Sequence, residues 1–369
     1  MAAPNSLQAI ILETLSPVAE NRKKGKSNLC VDGGNTLSFR HYLAHQSVSG
    51  SRFVPLAAEG LLKSAQGTPG HLIEVLQIVE NASVDLGLRQ AASVHFKNSV
   101  KFGWDVNRED GNEGVVISQD DRAKIKSHVV TLMCSTPSQI QAQLSEAISL
   151  ISSVDFPKNW DNLMPELVKQ FGSDNPVVVN GVLKTANGIF RSFRYVERSD
   201  RLYQIIAYSL SHVQGPLLEL FIATGKQVDA AKSNKALLSQ LMDNLRIMSR
   251  IFFSLNYQDL PEFFEDHIGE WMTEFKKYLT YNNAVLVDSD EEEEPSPIDK
   301  LQVAIIQNLD LYADKDEDPF MPFLPEFATM VWNLLMSITS LPKHDTLATT
   351  SIRFLADLVK KPMHNALFQ

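Results

Sequence analysis

The apolar residues of this chain recur at the spacing of an α-helix along most of its length. In the stretch SQIQAQLSEAISLI they fall at i, i+4, i+7, i+8 and i+11, as Ile140, Leu144, Ala147, Ile148 and Ile151. Such a stripe covers one face of a helix with 3.6 residues per turn. The stretch LLSQLMDNLRIMSRIF repeats the pattern. No comparable run of period-two alternation bounded by turn residues occurs, so the sequence predicts helices and no β-sheet.

Start signals mark several of the predicted helices. Ser118 followed by Asp121 is a variant of the capping box. Thr136 before Pro137 puts a capping hydroxyl next to a residue that needs no N–H at a helix start. Pro261 opens EFFEDHIGEWM in the same way, with acidic residues where the helix dipole favours them. These signals divide the chain into helix pairs.

Seven helix pairs can be traced once residues 24–56, which have no helical period, are set aside. The rest of the chain then averages about 48 residues per pair, close to the roughly 40–47 residues of HEAT-type repeats. One pair cannot cover its own apolar faces, so neighbouring pairs stack, at about 1.5–3 kcal/mol per large buried side chain. The predicted fold is all-α, a HEAT-repeat α-solenoid with a right-handed superhelical stack of antiparallel pairs and an extended concave binding surface. The predicted pairs are 4–20 with 57–66, 71–82 with 86–104, 118–135 with 137–153, 159–172 with 175–195, 198–224 with 234–257, 261–281 with 298–313, and 320–340 with 344–361.

The composition narrows the class of protein. With 44% hydrophobic residues, a sizeable core can be buried. The net charge of -10 disfavours nucleic acid as a main partner and favours basic proteins. Two cysteines, Cys30 and Cys134, imply no disulfide framework. The start of the chain lacks the features of a secretory signal, and no stretch approaches the roughly 20 apolar residues of a membrane span. The predicted compartment is the cytoplasm, the nucleus or both.

The stretch DFPKNWDNLMPEL places a proline on each side of a tryptophan. Because prolines interrupt helices, Pro157 is predicted to end one helix pair. Trp160 is predicted to anchor the first turn of the next helix in the core between repeats. Pro165 lies about one turn further on, where it should bend or delay that helix. We therefore expect Asp155, Phe156, Pro157 and Trp160 to have a structural role rather than a catalytic one.

The same stretch resembles a repeat junction of nuclear transport receptors of the importin-β (karyopherin) superfamily, in which a D-F-P-x-x-W pattern recurs. The stretches AAEGLLKSAQGTPGHLIEVLQIVEN and LRQAASVHFKNSVKFGW are similar to the N-terminal importin domain of that superfamily. The ending of that domain, K-N-x-V-x-x-x-W, is present as Lys97, Asn98, Val100 and Trp104. The resemblance implies an importin N-terminal, Ran-facing domain at 1–105. It also implies a continuing HEAT solenoid at 106–369, with an acidic loop at 286–297.

Three further stretches narrow the resemblance to the superfamily members that export importin-α. They are NGVLKTANGIFRSFRY, FFSLNYQDLPEFFEDHIGEWM and the acidic DSDEEEE that precedes VWNLL. This resemblance implies a protein that is not an enzyme, that has no cofactor of its own, and that binds GTP-loaded Ran and importin-α cooperatively in the nucleus. GTP hydrolysis on Ran then releases both in the cytoplasm. Nucleoporins, passage through the pore of the nuclear envelope, and a monomeric free state are implied as well.

The resemblance puts the switch surface of Ran on the inner helices of the first repeats. On the predicted helix 86–104 the packing side carries Leu88, Ala91, Ala92, His95, Phe96 and Ser99. The other side carries Gln90, Val94, Lys97 and Lys101. Our candidate Ran contacts are Lys97, Asn98 and Lys101. The alternative interpretation is an ordinary solvated helix face.

Residues 24–56 are predicted to be an insertion within the first repeat. They contain four glycines and carry a net charge of +3. Without them, ENRK joins AAEGLL and matches the R-K-x-A-E turn of the superfamily. Ordering the segment would cost roughly 1–2 kcal/mol per residue with little apolar burial to offset it, so disorder is predicted. A retained intron, an error in the gene model and a natural isoform loop all stay open.

An acidic segment follows the predicted helix 261–281, the first helix of the sixth pair. It carries Asp288, Asp290, Glu291, Glu292, Glu293 and Glu294. The segment is either a solvated linker or an attractor of a basic partner surface, and Ran or a basic import segment would supply such a surface. Ser289, which precedes the carboxylates, fits the pattern of an acidophilic kinase site.

Other motifs do not support chemistry in this chain. Gly25-Lys26-Ser27 lacks the first glycine of a P-loop, and the run that starts at Asp314 lacks the glycine and glutamate of an EF-hand. The nine histidines have no metal-ligand spacing.

The chain stops at NALFQ without a polar capping element, so we expect an N-terminal portion truncated relative to the family. Two alternatives remain, another importin-β-type transport receptor and a HEAT scaffold subunit of an enzyme complex.

Overall fold

The computed structural model describes residues 67–105, 115–286, 294–315, 318–339 and 341–360, together with Leu7 and Ala65. Within these ranges every regular element is helical and no strand occurs, so the all-α prediction is confirmed. The α-helices are α1 His71–Glu80, α2 Leu86–Gly103, α3 Gln119–Ser135, α4 Ser138–Asp155, α5 Leu163–Lys169, α6 Pro176–Phe193, α7 Asp200–Ala230, α8 Lys235–Asn256, α9 Glu262–Asp266, α10 Ile268–Leu279, α11 Pro297–Lys315, α12 Leu324–Ser337 and α13 Asp345–Lys360. Three single turns of 3-10 helix lie at Gln170–Gly172, Met321–Phe323 and Pro342–His344.

Several predictions fall outside the described residues. They are the first predicted helix 4–20, most of its partner 57–66, the insertion 24–56, and the acidic positions Asp288, Ser289, Asp290, Glu291, Glu292 and Glu293.

The chain divides into two compact units, Met1–Val154 and Asp155–Gln369. In the first unit, α1 packs against both α2 and α3. Two ion pairs join alternate helices. Glu80 of α1 lies 3.4 Å from His128 of α3, and Lys97 of α2 lies 3.5 Å from Glu146 of α4. The helices of this unit therefore form two rows, α1 with α3 and α2 with α4.

The second unit has the same arrangement over more helices. In one row α7 packs against α5 and α10, and α10 packs against α12. In the other row α8 packs against α6 and α11, and α11 packs against α13. The rows also touch within each pair, as α7 does with α8 and α12 with α13. Pairs that stack in chain order in two rows are the arrangement expected of HEAT repeats.

Aromatic side chains fill the middle of the second unit. The ring of Phe252 on α8 lies 4.3 Å from Trp271 and 5.7 Å from Phe275, both on α10. It also lies 5.9 Å from Tyr312 on α11. All four side chains are buried. Burial of a large side chain contributes about 1.5–3 kcal/mol, and aromatic pairs at these separations add about 0.5–1.5 kcal/mol each. This cluster therefore holds the fifth and sixth pairs together.

Three helices differ from their predicted bounds. The predicted helix 261–281 is two helices, α9 and α10, because the backbone of His267 leaves the helical conformation between them (φ -104, ψ 16). The predicted helix 159–172 begins at Leu163, so Pro165 lies in its first turn, where a missing N–H costs nothing. The predicted helix 198–224 continues through Pro216 to Ala230. Phe221 and Val228 are fully buried there, and this tertiary packing offsets the cost of the proline.

By length and composition, the helix Asp200–Ala230 would be able to cross a membrane. That measure alone does not separate a membrane helix from the core helix of a soluble protein. Here the helix packs against α5, α8 and α10, and its Asp229 lies 2.7 Å from Lys277 of α10.

Candidate partner-binding surfaces

The three candidate Ran contacts lie on α2. The carboxylate of Asp85 accepts hydrogen bonds from the backbone N–H groups of Gly87 and Leu88, which fixes the start of this helix. Lys97, Asn98 and Lys101 are all half-buried. Their positions at i, i+1 and i+4 put the two ammonium groups one turn apart on the same helix.

Lys97 is held by a partner that the sequence did not indicate. Its Nζ lies 3.5 Å from Oε2 of Glu146 on α4, and the side chain of Lys97 keeps 16% of its surface exposed. The Nζ of Lys101 lies 5.6 Å from the ring centre of Phe102. Neighbouring side chains therefore already orient both ammonium groups before a partner protein binds.

The predicted packing face of α2 is partly correct. Leu88, Ala92 and Phe96 are buried as expected. Val100 is also fully buried, whereas Ser99 is half-buried. The buried face of α2 therefore follows a spacing of four residues through Leu88, Ala92, Phe96 and Val100, whereas the predicted face included Ser99 and omitted Val100.

The C-terminal end of α2 is fixed onto the start of α3 by Arg122. The guanidinium group donates from Nη2 to the backbone oxygen of Trp104 at 2.6 Å and from Nε to that of Ile117 at 3.0 Å. Its carbon lies 5.0 Å from the ring centre of Trp104, a cation–π distance. Gly103 packs so tightly that an added Cβ would lie 2.2 Å from the backbone oxygen of Val115. Trp104 itself is 1% exposed.

The proline-flanked junction is packed against α7. Phe156, which precedes Pro157 through a cis peptide bond, lies 5.8 Å from the ring of Tyr208. The hydroxyl of Tyr208 donates to the backbone oxygen of Asp161 at 2.7 Å. Asp155 is 5% exposed and Trp160 is 2% exposed. Trp160 precedes α5 instead of lying in its first turn, because that helix begins at Leu163. These contacts support a structural role for the junction.

Glu294 is the described member of the acidic segment. Its side chain is 88% exposed, and its Oε2 lies 3.4 Å from Nζ of Lys300. At this exposure the pair contributes little to stability, since surface ion pairs are worth about 0–1 kcal/mol.

Two features were not predicted from the sequence. The first is a cleft of about 300 Å³ between α8, α11 and the start of α13, lined by Arg246, Arg250, Lys300 and Lys343. Its cations come from segments about a hundred residues apart. The RIMSR stretch, with arginines one turn apart, was the single local sign of it.

The second unpredicted feature is a pair of histidines in the first unit. The Nε2 atoms of His71 and His95 lie 3.0 Å apart. Burial and, to a smaller extent, the neighbouring His71 together lower the pKa of His95 to about 4. Burial also lowers the pKa of His71, against a smaller opposing effect of Glu74. Among the described residues, no group of His, Cys, Asp and Glu has the arrangement of a metal site.

Comparisons with known proteins agree with this geometry. The importin-β N-terminal domain matches residues 58–135, and the Cse1 family matches residues 189–369. A structure described as the exportin Cse1 in its cargo-free, cytoplasmic state superimposes with a TM-score of 0.78 at 35% identity, over 85% of this chain and 33% of that one. The bidirectional nuclear transport receptor Lph2 of S. cerevisiae shares the fold, with a TM-score of 0.61 at 15% identity. The fold, the two family matches and the likeness to Cse1 relate this chain to the helical-repeat transport receptors of the importin-β type. The HEAT-repeat class predicted from the sequence is confirmed.

The curated relatives narrow this class further. The chain is 37% identical over 339 residues to exportin-2 of Danio rerio, which covers 92% of this chain and 34% of that protein. It is 38% identical over 312 residues to exportin-2 of Homo sapiens, covering 85% and 32%. The chain is thus a homologue of the N-terminal portion of exportin-2 (Cse1), and spans about a third of the length of these relatives.

Proposed function

We propose that this chain binds GTP-loaded Ran and importin-α as the N-terminal portion of a nuclear export receptor. The observation that carries the proposal is the cationic face of α2 inside the region that matches the importin-β N-terminal domain. Lys97, Asn98 and Lys101 would contact Ran, and GTP would be held by Ran rather than by this chain. Nucleoporins are further expected partners. The protein would be a monomer when free and would shuttle between nucleus and cytoplasm through the nuclear envelope.

The proposed cooperativity has a strict thermodynamic consequence. If importin-α raises the affinity for Ran by some factor, then Ran must raise the affinity for importin-α by the same factor. Coupling between two sites of this kind is typically 5–150-fold. Measuring both factors in one titration series tests the mechanism more sharply than capture alone.

The test immobilises the full chain and measures retention of Ran loaded with a non-hydrolysable GTP analogue or with GDP, with and without importin-α. We expect retention of the GTP form, increased by importin-α. The double variant Lys97→Glu with Lys101→Glu should lose it. Lys124→Glu reverses the charge of one exposed lysine on α3 as a control, and this variant should behave as the parent chain.

Equal retention of both nucleotide forms would contradict the proposal and favour a HEAT scaffold that ignores the state of Ran. Retention of GTP-loaded Ran with a cargo other than importin-α would favour another transport receptor of the same superfamily.

The acidic segment is proposed as an attractor of a basic surface on one of these partners. Its six carboxylates lie close together in sequence, and the described one, Glu294, is exposed. Replacing all six by Asn or Gln should slow association and flatten its dependence on salt, because long-range attraction acts mainly on the encounter rate. An unchanged association rate would leave a solvated linker as the correct interpretation.

Residues 24–56 are proposed to be an insertion within the first repeat. The match to the importin-β N-terminal domain begins at residue 58, just after this segment, which supports the proposal. Transcript sequencing that finds messages joining Lys23 directly to Ala57, and none with the insert, would identify an artefact of the gene model. Abundant messages that contain the insert would instead identify a natural isoform.

A further inference from the structure

The cleft between α8, α11 and α13 is cationic in a chain whose net charge is -10. Arg246, Arg250, Lys300 and Lys343 line it, and Asp299 is the one carboxylate among its described lining residues. Asp299 is already engaged, since its Oδ2 accepts from the backbone N–H of Ser296 at 3.1 Å. The cleft therefore has an excess of positive charge that its own walls do not neutralise.

Arg246 and Lys300 each have a partner outside the cleft wall. Arg246 donates from Nε and Nη2 to the same oxygen of Asp243, at 2.9 and 2.6 Å. Lys300 reaches Glu294, which is 88% exposed. Both pairs orient a cation and leave further donors for a ligand, since a guanidinium has five N–H groups and an ammonium has three.

Arg250 is the cation of the cleft whose charge is least compensated by neighbouring carboxylates. Within the part of the chain that the structure describes, no carboxylate lies within ion-pair distance of its guanidinium. Burial lowers the pKa of Arg250, and the nearby Arg246, Arg191 and Arg194 lower it further. Asp243 opposes this with a smaller effect. An arginine nevertheless stays charged at neutral pH, so the protein carries the electrostatic cost of this crowding. A bound anion would relieve that cost.

Basic and aromatic groups extend the surface beyond the cleft. The guanidinium carbon of Arg194 lies 5.3 Å from the ring centre of Phe253, and Phe253 lies 5.7 Å from the ring of Tyr257. The Nε of Arg194 is buried without a hydrogen-bond partner. Tyr257 is 40% exposed. A ligand with both negative charge and some apolar surface would complement this combination.

We propose that this cleft binds the side-chain carboxylates of a short acidic segment of a protein partner. The planar guanidinium groups of Arg246 and Arg250 suit the two-oxygen geometry of Asp and Glu side chains. A volume of about 300 Å³ holds a few such side chains, not a long polymer. A nucleic acid is disfavoured because its backbone would leave the cleft and run onto the acidic surface of the rest of the chain. The site is formed by the second unit alone and does not depend on Ran.

The experiment measures fluorescence anisotropy of a labelled eight-residue peptide of alternating Glu and Asp with the full chain. We expect saturable binding that weakens as salt rises. Arg250→Gln with Lys300→Gln should weaken it by about tenfold to a hundredfold, since one or two charge-assisted contacts are lost and each is worth roughly a factor of ten in affinity. Lys158→Gln with Lys226→Gln removes the same charge from exposed positions of the second unit and should change affinity less than about twofold.

Three results of the binding measurements would overturn the proposal. They are equal weakening by both double variants, absence of saturable binding by the parent chain, and tighter binding of an eight-nucleotide single-stranded RNA than of the peptide. Circular dichroism melting confirms that each variant is folded. Hydrogen exchange gives an independent readout, because bound peptide should slow exchange in α8, α11 and the start of α13. Protection elsewhere would also contradict the site.

Discussion

The side-chain amide of Asn180 donates to the side-chain oxygen of Asn244 at 2.8 Å, across 64 residues of sequence. The two residues lie on α6 and α8, neighbours in the same row. Asn244 in turn donates to the backbone oxygen of Pro176 at 3.2 Å. On the next helix of the row, Asn308 donates to the backbone oxygen of Ser249 at 3.0 Å. Buried amides thus cross each interface between the fourth, fifth and sixth pairs.

Replacing Asn244 by Ala should destabilise the second unit by roughly 1–3 kcal/mol, because buried polar partners lose their hydrogen bonds. Urea unfolding followed by circular dichroism measures the change. Asn282→Ala, at an exposed position outside the helices, is the control and should cost less than about 0.5 kcal/mol. Equal costs would mean that the amide link between α6 and α8 adds nothing to stability.

Acidification should destabilise the first unit through His95. Its pKa is about 4 when folded against 6.5 when exposed, so the unfolded chain takes up a proton between these values while the native protein does not. The stabilisation is therefore complete above pH 6.5 and is lost as pH falls toward 4. Between pH 7 and pH 5 the loss is roughly 2 kcal/mol at 1.36 kcal/mol per pKa unit. Urea midpoints across this range measure it, and in His95→Gln the fall should be clearly smaller. An identical fall in both proteins would assign the pH dependence to other groups.

Arg122→Lys should destabilise the first unit by about 1–3 kcal/mol although the charge is kept. A lysine lacks the planar fork that reaches two backbone oxygens and the flat surface that stacks on Trp104. Thermal melting measures the effect. Lys124→Arg, on the same helix but exposed, tests whether exchange of the two residue types is harmless in itself. A melting temperature unchanged in Arg122→Lys would show that charge alone holds the helix end.

Gly103→Ala should cost about 1–3 kcal/mol, since the new methyl group would collide with the backbone oxygen of Val115. Gly269→Ala, in α10, is the opposite case, because outside its chain neighbours and its own helix backbone no atom lies within 4 Å of the added Cβ. That variant should stabilise by about 0.5–1 kcal/mol from helix propensity. Denaturant unfolding of both gives the comparison, and a harmless Gly103→Ala would mean that this approach of the backbones is loose in solution.

Helix positions were predictable because the pattern that specifies them is local. The helix predicted at 137–153 is α4, and the whole apolar stripe that predicted it is buried. The capping predictions were only partly correct. Ser118 does cap α3, accepting from the N–H of Asp121 at 3.1 Å, but the carboxylate of Asp121 accepts from Gly70 at 3.0 Å. That partner is 51 residues away, so no local pattern could reveal it.

The hydrogen-bond partner of Thr136 was also not predicted by the local sequence pattern. Its hydroxyl donates back to the backbone oxygen of Met133 and closes α3, so its predicted role as the capping acceptor of α4 is wrong. The candidate sites were likewise predictable only where their residues lie close together in sequence. The lysines of α2 were found from their spacing, whereas the ion pair of Lys97 with Glu146 forms only when two helices are stacked. The cationic cleft forms only when three helices are packed together.

In the second unit, each row of helices is held by its own side chains. Asn180, Asn244 and Asn308 link one row, and Lys277 links the other by reaching Asp229. Cohesion of this kind is spread along the row rather than gathered at one centre. A substitution that destabilises one helix pair therefore lowers the stability of the adjacent pairs most, and its effect decreases with distance along the row. Under denaturing stress such a unit frays inward by whole pairs, and its middle pairs outlast those at the margins.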